Sequence, residues 1–231
     1  MTLKSINPAN EEILKEFSST SDKDIESALL KSVTGYQELN DLGLEKRAEY
    51  LVAAAKLLDK EKEQFAKTMT QEMGKTLASA KSEVEKCAWV CRYYAENGEQ
   101  LLADKKYQTD DQKAFIRYQP IGTVLAVMPW NFPFWQVFRF AAPAMMAGNT
   151  GILKHASNVP KCALAIEEIF KKAGFPEGAF QTLLIGSDKI EKILKDDRVK
   201  AATLTGSEKA GASVASIAGS QIKKTVLELG G

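Results

Sequence analysis

Four polar residues stand where short apolar runs end, and each has a side chain that could do chemistry. Asn131 follows Thr123–Met128 in the turn Pro129-Trp130-Asn131-Phe132-Pro133; Lys154 closes Gly151–Lys154; Ser207 follows Ala201–Leu204; Glu228 closes Lys224–Leu229. A primary amide can donate to an oxygen that gains negative charge. A carboxylate at an apolar strand end is desolvated, its pKa rises, and it suits a general base near neutral pH. A hydroxyl beside free backbone amides at a helix start suits a phosphate. Three of them also have a structural reading: turn stabilisation for Asn131, an ion-pair partner for Glu228, a plain N-cap for Ser207. Arg139 lies in the almost wholly apolar run FWQVFRFAAPAMM, where a buried guanidinium needs an anion, either a structural carboxylate or that of a substrate.

The elements that must position these residues alternate. After Ile121 the strands are expected at Thr123–Met128, Gly151–Lys154, Phe180–Ile185, Ala201–Leu204 and Lys224–Leu229. The helices are expected at Phe134–Ala147, Pro160–Lys172, Asp188–Lys195 and Glu208–Ile217. Short connections between them predict an α/β fold, a doubly wound, mostly parallel, Rossmann-like sheet that binds its ligand outside the carboxyl ends of the strands. The helix opening at Glu208 begins with small residues, Ala210, Gly211 and Ala212, but its GSEKAG is neither GxGxxG nor a P-loop.

Before this core, residues 1–20 read as extended pieces. Ser21 reads as an N-cap for a helix ending near Gly35. Residues 44–73 and 76–102 read as two long amphipathic helices, whose inward positions in the second include Leu77, Ala80, Val84 and Cys87. Residues 104–120 read as a hairpin turned at Asp110-Asp111, either a simple surface hairpin or one that pairs with another subunit. The organisation is thus a helical part over 1–103, a hairpin over 104–120 and a Rossmann-like core over 121–231.

Net charge is +1, which gives no electrostatic reason to expect nucleic acid or a membrane surface as partner. No apolar run approaches the roughly 18 residues of a membrane span, and no secretion signal opens the chain, so a cytoplasmic protein is expected. Three cysteines and one histidine supply neither a disulfide framework nor a zinc ligand set, so buried thiols and no metal are expected.

PWNFP at 129–133, KHAS at 154–157, TGS at 205–207 and ELGG at 228–231, in this order and spacing, resemble the aldehyde dehydrogenase family across the whole chain, particularly its bacterial succinate-semialdehyde dehydrogenases. The resemblance implies that Asn131 and a main-chain amide form an oxyanion hole and that Glu228 activates the deacylating water. It implies an NADP or NAD site built from Trp130, Asn131, Lys154, the His155-Ala156 backbone, Ser157, Gly206, Ser207, Glu208 and Leu229, and a grip by Arg139 on a substrate carboxylate. Strict NAD users of the family tend to carry an acid where Ser157 stands; a serine can donate to a 2′-phosphate, so NADP is expected to be accepted. The family's usual Phe before TGS is Leu204 here. None of Cys87, Cys91 or Cys162 matches the family's nucleophilic cysteine, which lies beyond the position of Gly231. The expectation is an N-terminal, cofactor-binding portion of an enzyme that forms a homodimer or homotetramer and takes a small aldehyde, the portion itself being inactive. The rivals are an inert nucleotide- or subunit-binding product and another Rossmann-type dehydrogenase, against which the missing GxGxxG speaks.

Overall fold

Asn7 turns the chain between two short strands: its side chain accepts the Ala9 N–H, and β1 (Thr2–Ile6) pairs antiparallel with β2 (Ile13–Ser18). A computed structural model describes residues 2–108 and 113–230. Helix α1 (Asp22–Asp41) starts at Ser21, whose Oγ accepts the Asp24 N–H at 3.2 Å. It does not stop at Gly35. That glycine is buried inside the helix, and a Cβ there would lie 2.6 Å from the Glu177 carbonyl oxygen. Its role is close approach to a neighbouring loop, which sequence alone cannot distinguish from a stop signal.

The expected helix over 44–73 is two helices, α2 (Gly43–Lys60) and α3 (Lys62–Met73), broken at Glu61. Between the buried Leu58 and Phe65 every residue is polar, so no apolar side chain holds that turn against the core. Helix α4 (Leu77–Leu102) follows, capped by Thr76. The hairpin expected over 104–120 has strands β3 (Lys105–Gln108) and β4 (Lys113–Ile116), paired antiparallel. Its Asp110-Asp111 turn lies outside the described residues.

The alternating region runs β5 (Thr123–Met128), α5 (Trp135–Met146), β6 (Thr150–His155), α6 (Pro160–Lys172), β7 (Phe180–Thr182), a 3₁₀ turn (Ser187–Lys189), α7 (Ile190–Lys195), β8 (Val199–Gly206), α8 (Glu208–Ser220) and β9 (Lys224–Leu229). β7 is shorter than expected because Leu184 leaves the ladder to pair with the segment that follows β2: its N–H donates to Thr20 Oγ1, and its carbonyl accepts the Thr20 N–H. The sheet order is β7-β6-β5-β8-β9, with every pairing parallel. The chain walks outward from β5 to β7, then returns across β5 to β8. The switch point is therefore between β5 and β6 on one side and β8 on the other, and the crevice expected at such a reversal opens above their carboxyl ends.

Strand alternation splits the interior in two. Ala126, Met128 and Leu153 join one core with α2, α3, α4, α5 and α6; Leu125 and Ile152 join the other with α1, α7 and α8. Among the described residues no helix is long and apolar enough to cross a membrane, and no group of three His, Cys, Asp or Glu could hold a metal.

A glycine in a helix interior normally gains stability on replacement by alanine, by about 1 kcal/mol. Gly35→Ala should do the opposite and destabilise by about 1–3 kcal/mol, because the methyl meets backbone that cannot yield. A urea midpoint that rises in this variant would contradict the close approach.

Candidate active site

The tips of the parallel strands come to one level. Val127 pairs with Lys154 on one side and with Leu204 on the other, and Leu204 pairs with Leu227. One residue on, Glu228 lies beside Thr205, and Leu229 beside Gly206. Asn131, Lys154, Ser207 and Glu228 therefore all emerge at the carboxyl edge.

The turn Pro129–Pro133 carries Trp130, Asn131 and Phe132 exposed to solvent, so burial does not hold them. Its ends do. His155, the only histidine, is buried against it: Nε2–H donates to the Pro133 carbonyl at 2.8 Å, and Nδ1 accepts the Ala156 N–H at 2.9 Å. Nδ1 also lies 3.2 Å from the Met128 carbonyl, but the shorter Pro133 and Ala156 contacts favour the neutral tautomer protonated on Nε2. Burial pushes the imidazole pKa down to about 4, and the neighbouring Lys154 charge acts in the same direction. The Asn131 Oδ1 accepts the Phe132 N–H at 3.1 Å, which leaves the NH₂ end as the donor facing outward from its own turn.

After the turn, α5 has no side-chain cap of its own. Glu83 of α4 supplies one: its Oε1 accepts the N–H of Phe134 and of Trp135, each at 2.9 Å. Its other oxygen pairs with Lys75, whose ammonium lies 4.1 Å from the centroid of the Phe132 ring. The same device recurs at α6, also uncapped locally: Glu72 accepts the N–H of Lys161 and of Cys162 at 2.9 and 2.8 Å. Both carboxylates are buried. Sequence reasoning missed them, although a charge at position 83 among the inward residues Ala80, Val84 and Cys87 was the available signal.

Ser207 caps α8, its Oγ accepting the Ala210 N–H at 3.3 Å. Gly211 lets the helix lie against the end of β9: a Cβ there would come 2.5 Å from Leu229 Cδ2. Trp130, Asn131, Arg139, Gly206, Ser207, Glu228 and Leu229 share a cleft of about 510 Å³. Gln136 lines it too, with a buried side-chain carbonyl oxygen that has no partner among the described residues. The residues from β6 and its loop lie outside that cleft. Lys154 is half-buried, its ammonium pKa lowered by burial, with no carboxylate in salt-bridge reach among the described residues. Ser157 and Glu208 are exposed, and Ala156 is half-buried.

Two expectations need correction. Arg139 is not buried: its side chain is 36% exposed, and its anion is Glu228, with Nη1 and Oε2 3.5 Å apart. Its Nη2 donates to Thr205 Oγ1 at 3.2 Å. Glu228 is not enclosed by apolar side chains either; its side chain is 52% exposed, because β9 is the sheet's edge strand. Cys87, Cys91 and Cys162 are free and buried as expected, and burial pushes all three thiols up.

The sequence profile described as "Aldehyde dehydrogenase family" matches residues 1–231. The chain belongs to the aldehyde dehydrogenase family. It is 55% identical over 231 residues to a Synechocystis protein named as a probable NADP(+) succinate-semialdehyde dehydrogenase, covering 100% of this chain and 51% of that one. An NADP(+) succinate-semialdehyde dehydrogenase of Mycobacterium tuberculosis is 53% identical over 234 residues, with the same shares covered. The crystal structure of succinic semialdehyde dehydrogenase from Streptococcus pyogenes in complex with NADP+ superposes with a TM-score of 0.97 at 37% identity, over 99% of this chain and 50% of that one. The chain thus spans about half the length of the curated relatives it matches.

His155 gives this chain's stability a pH dependence. Its folded pKa of about 4 lies below the ordinary 6.5, so between these values the unfolded chain binds a proton that the folded chain refuses. The contribution is fully present above about pH 6.5 and is lost as pH falls towards 4, a loss of roughly 3 kcal/mol. Denaturant midpoints across pH 4–7 should fall less steeply for His155→Gln than for the parent; parallel profiles would show that the imidazole is not buried neutral.

Proposed function

We propose that this chain supplies the cofactor site, the oxyanion donor and the general base of an NADP-dependent dehydrogenase that oxidises succinate semialdehyde to the acid. The observation that carries the proposal is the gathering of Asn131, Arg139, Ser207 and Glu228 at one cleft over the switch point of a parallel sheet. Relatives at 53–55% identity over the whole chain, named for that activity, support it.

The residues fit an anionic dinucleotide. Lys154 is a desolvated ammonium without a carboxylate partner among the described residues, suited to the adenosine ribose hydroxyls. Ser157, on the following loop, can donate to a 2′-phosphate, and the Ser207 hydroxyl with the free amides of α8 suits the pyrophosphate, with Glu208 beside it. Gly206 opens this approach, since a Cβ there would meet nothing closer than 3.7 Å. The His155 ring is occupied by the Pro133 contact, so only its main chain, with that of Ala156, remains for the cofactor. Trp130 and Leu229 flank the proposed nicotinamide end. The bound nicotinamide would serve as hydride acceptor.

The Asn131 NH₂ donates to the aldehyde oxygen as negative charge builds there. Glu228 takes a proton from the water that releases the acid. Arg139 holds the substrate's carboxylate with its planar fork. The attacking thiol belongs to the part of the enzyme that this chain does not span, since Cys87, Cys91 and Cys162 are buried with raised pKa values. Subunits would meet at the β3–β4 hairpin, whose Tyr107, Phe115 and Ile116 are exposed.

Calorimetry on the 231-residue chain should give tighter binding of NADP than of NAD, and Ser157→Glu should reverse the order. Tighter NAD binding by the parent chain would remove the assigned role of Ser157. The chain alone should not oxidise succinate semialdehyde, whereas a chimera with the remaining half of the Synechocystis relative should. In that chimera Arg139→Met should raise KM for succinate semialdehyde about 10- to 100-fold, the worth of a charge-assisted pair, and leave the KM for butanal unchanged. Equal effects on both aldehydes would count against a carboxylate grip.

A further inference from the structure

We propose that Lys75 and Glu83 are positioning residues for the Asn131 amide. The inference rests on the reading of Asn131 as the oxyanion donor.

Asn131 sits on an exposed stretch of three residues between two prolines, so its orientation is set by what holds the neighbouring residues. On the carboxyl side, Phe134 and Trp135 are fixed by the two bonds to Glu83. Next to Asn131 itself, the Phe132 ring is held by the Lys75 ammonium. The Asn131 Oδ1 is bonded to the Phe132 N–H, so any rotation of that peptide carries the side-chain amide with it. The path runs from α4 through Lys75 and Phe132 to the NH₂ group in three contacts.

The pair's burial argues that position, not stability, is what it provides. Lys75 and Glu83 are 8% and 2% exposed, and two charges taken this far from water return little net stability over an apolar pair of the same size. What an apolar pair could not do is accept two helix N–H groups and hold an aromatic face at once.

The test uses the 231-residue chain, labelled with ¹⁵N. In Glu83→Ala, hydrogen exchange at the Phe134 and Trp135 amides should rise about 10- to 100-fold, and the Asn131 side-chain NH₂ signals should move to solvent-averaged positions. Glu83→Gln keeps an acceptor for the two N–H groups but sets an amide NH₂ against the Lys75 ammonium, so exchange should return towards the parent values while the Asn131 signals stay shifted. Lys75→Met should shift the Asn131 signals while leaving exchange at Phe134 and Trp135 near that of the parent. The Ala210 amide, capped by Ser207, serves as the control that should not change. Asn131 signals unmoved in folded Glu83→Ala and Lys75→Met would overturn the proposal; if Glu83→Ala does not fold, Glu83→Gln and Lys75→Met decide it. Undiminished kcat in an Asn131→Ala chimera would instead remove the oxyanion reading beneath it, even with the signals coupled.

Discussion

Two buried carboxylates on the helical part hold the crevice in shape. Glu72 and Glu83 each accept two backbone N–H groups at the start of a helix that has no cap of its own. A helix start buried without partners would leave donors unpaired at a cost of about 1–3 kcal/mol each. These two helices follow β5 and β6, so their starts lie just past the strand tips that present Asn131 and Lys154. The carboxyl edge of the sheet is therefore shaped from outside the sheet. Helices α2, α3 and α4 belong to the core on one side of the sheet, and α3 and α4 also supply the groups that decide where two of the loops stop.

The far end of α5 is treated in the same way with the opposite charge. Arg47 of α2 is buried, and its guanidinium donates to the Met146 carbonyl at 3.0 Å and to the Leu39 carbonyl at 3.1 Å, the trailing ends of α5 and α1. An acid at the start and a base at the end both complement the helix dipole. α5 itself is mostly apolar and could slide along its axis against a smooth core. Charges at both ends set its axial position, and Gly98 of α4 admits the Met146 side chain so closely that a Cβ would lie 2.4 Å from it. Arg139 and Gln136, one turn or so into this helix, inherit their places from that registration.

Much of this was legible before any coordinates. The β5–β9 strands, their order of appearance and the edge at which their polar tips gather follow from apolar runs separated by turns. The bounds of α6 and β9 match the sequence reading residue for residue. Three of the misses share one cause. Gly35, Glu83 and Arg47 act on partners far away in sequence, the Glu177 carbonyl, the α5 start and the Met146 carbonyl. A window of neighbouring residues reads a glycine as a stop and a charge as a solvated face, because the contact that gives each its role is made by another segment. Glu228 was misjudged for a related reason: its neighbours in sequence are apolar, but β9 lies at the edge of the sheet and its side chain faces solvent.

The ion pair between Arg139 and Glu228 joins two roles that the sequence assigned separately. At 3.5 Å, with both side chains a third to a half exposed, it is worth about 0–1 kcal/mol. So weak a pair is easily exchanged. On the proposed reading, a carboxylate-bearing aldehyde that took the guanidinium fork would displace Glu228 at little cost and leave it free to accept a proton. An aldehyde without a carboxylate would leave the pair intact and the base still engaged. On the proposed reading, release of Glu228 adds at most about 5-fold to a selectivity for acid semialdehydes that resides mainly in Arg139, since a pair worth no more than about 1 kcal/mol can withhold the base only that far.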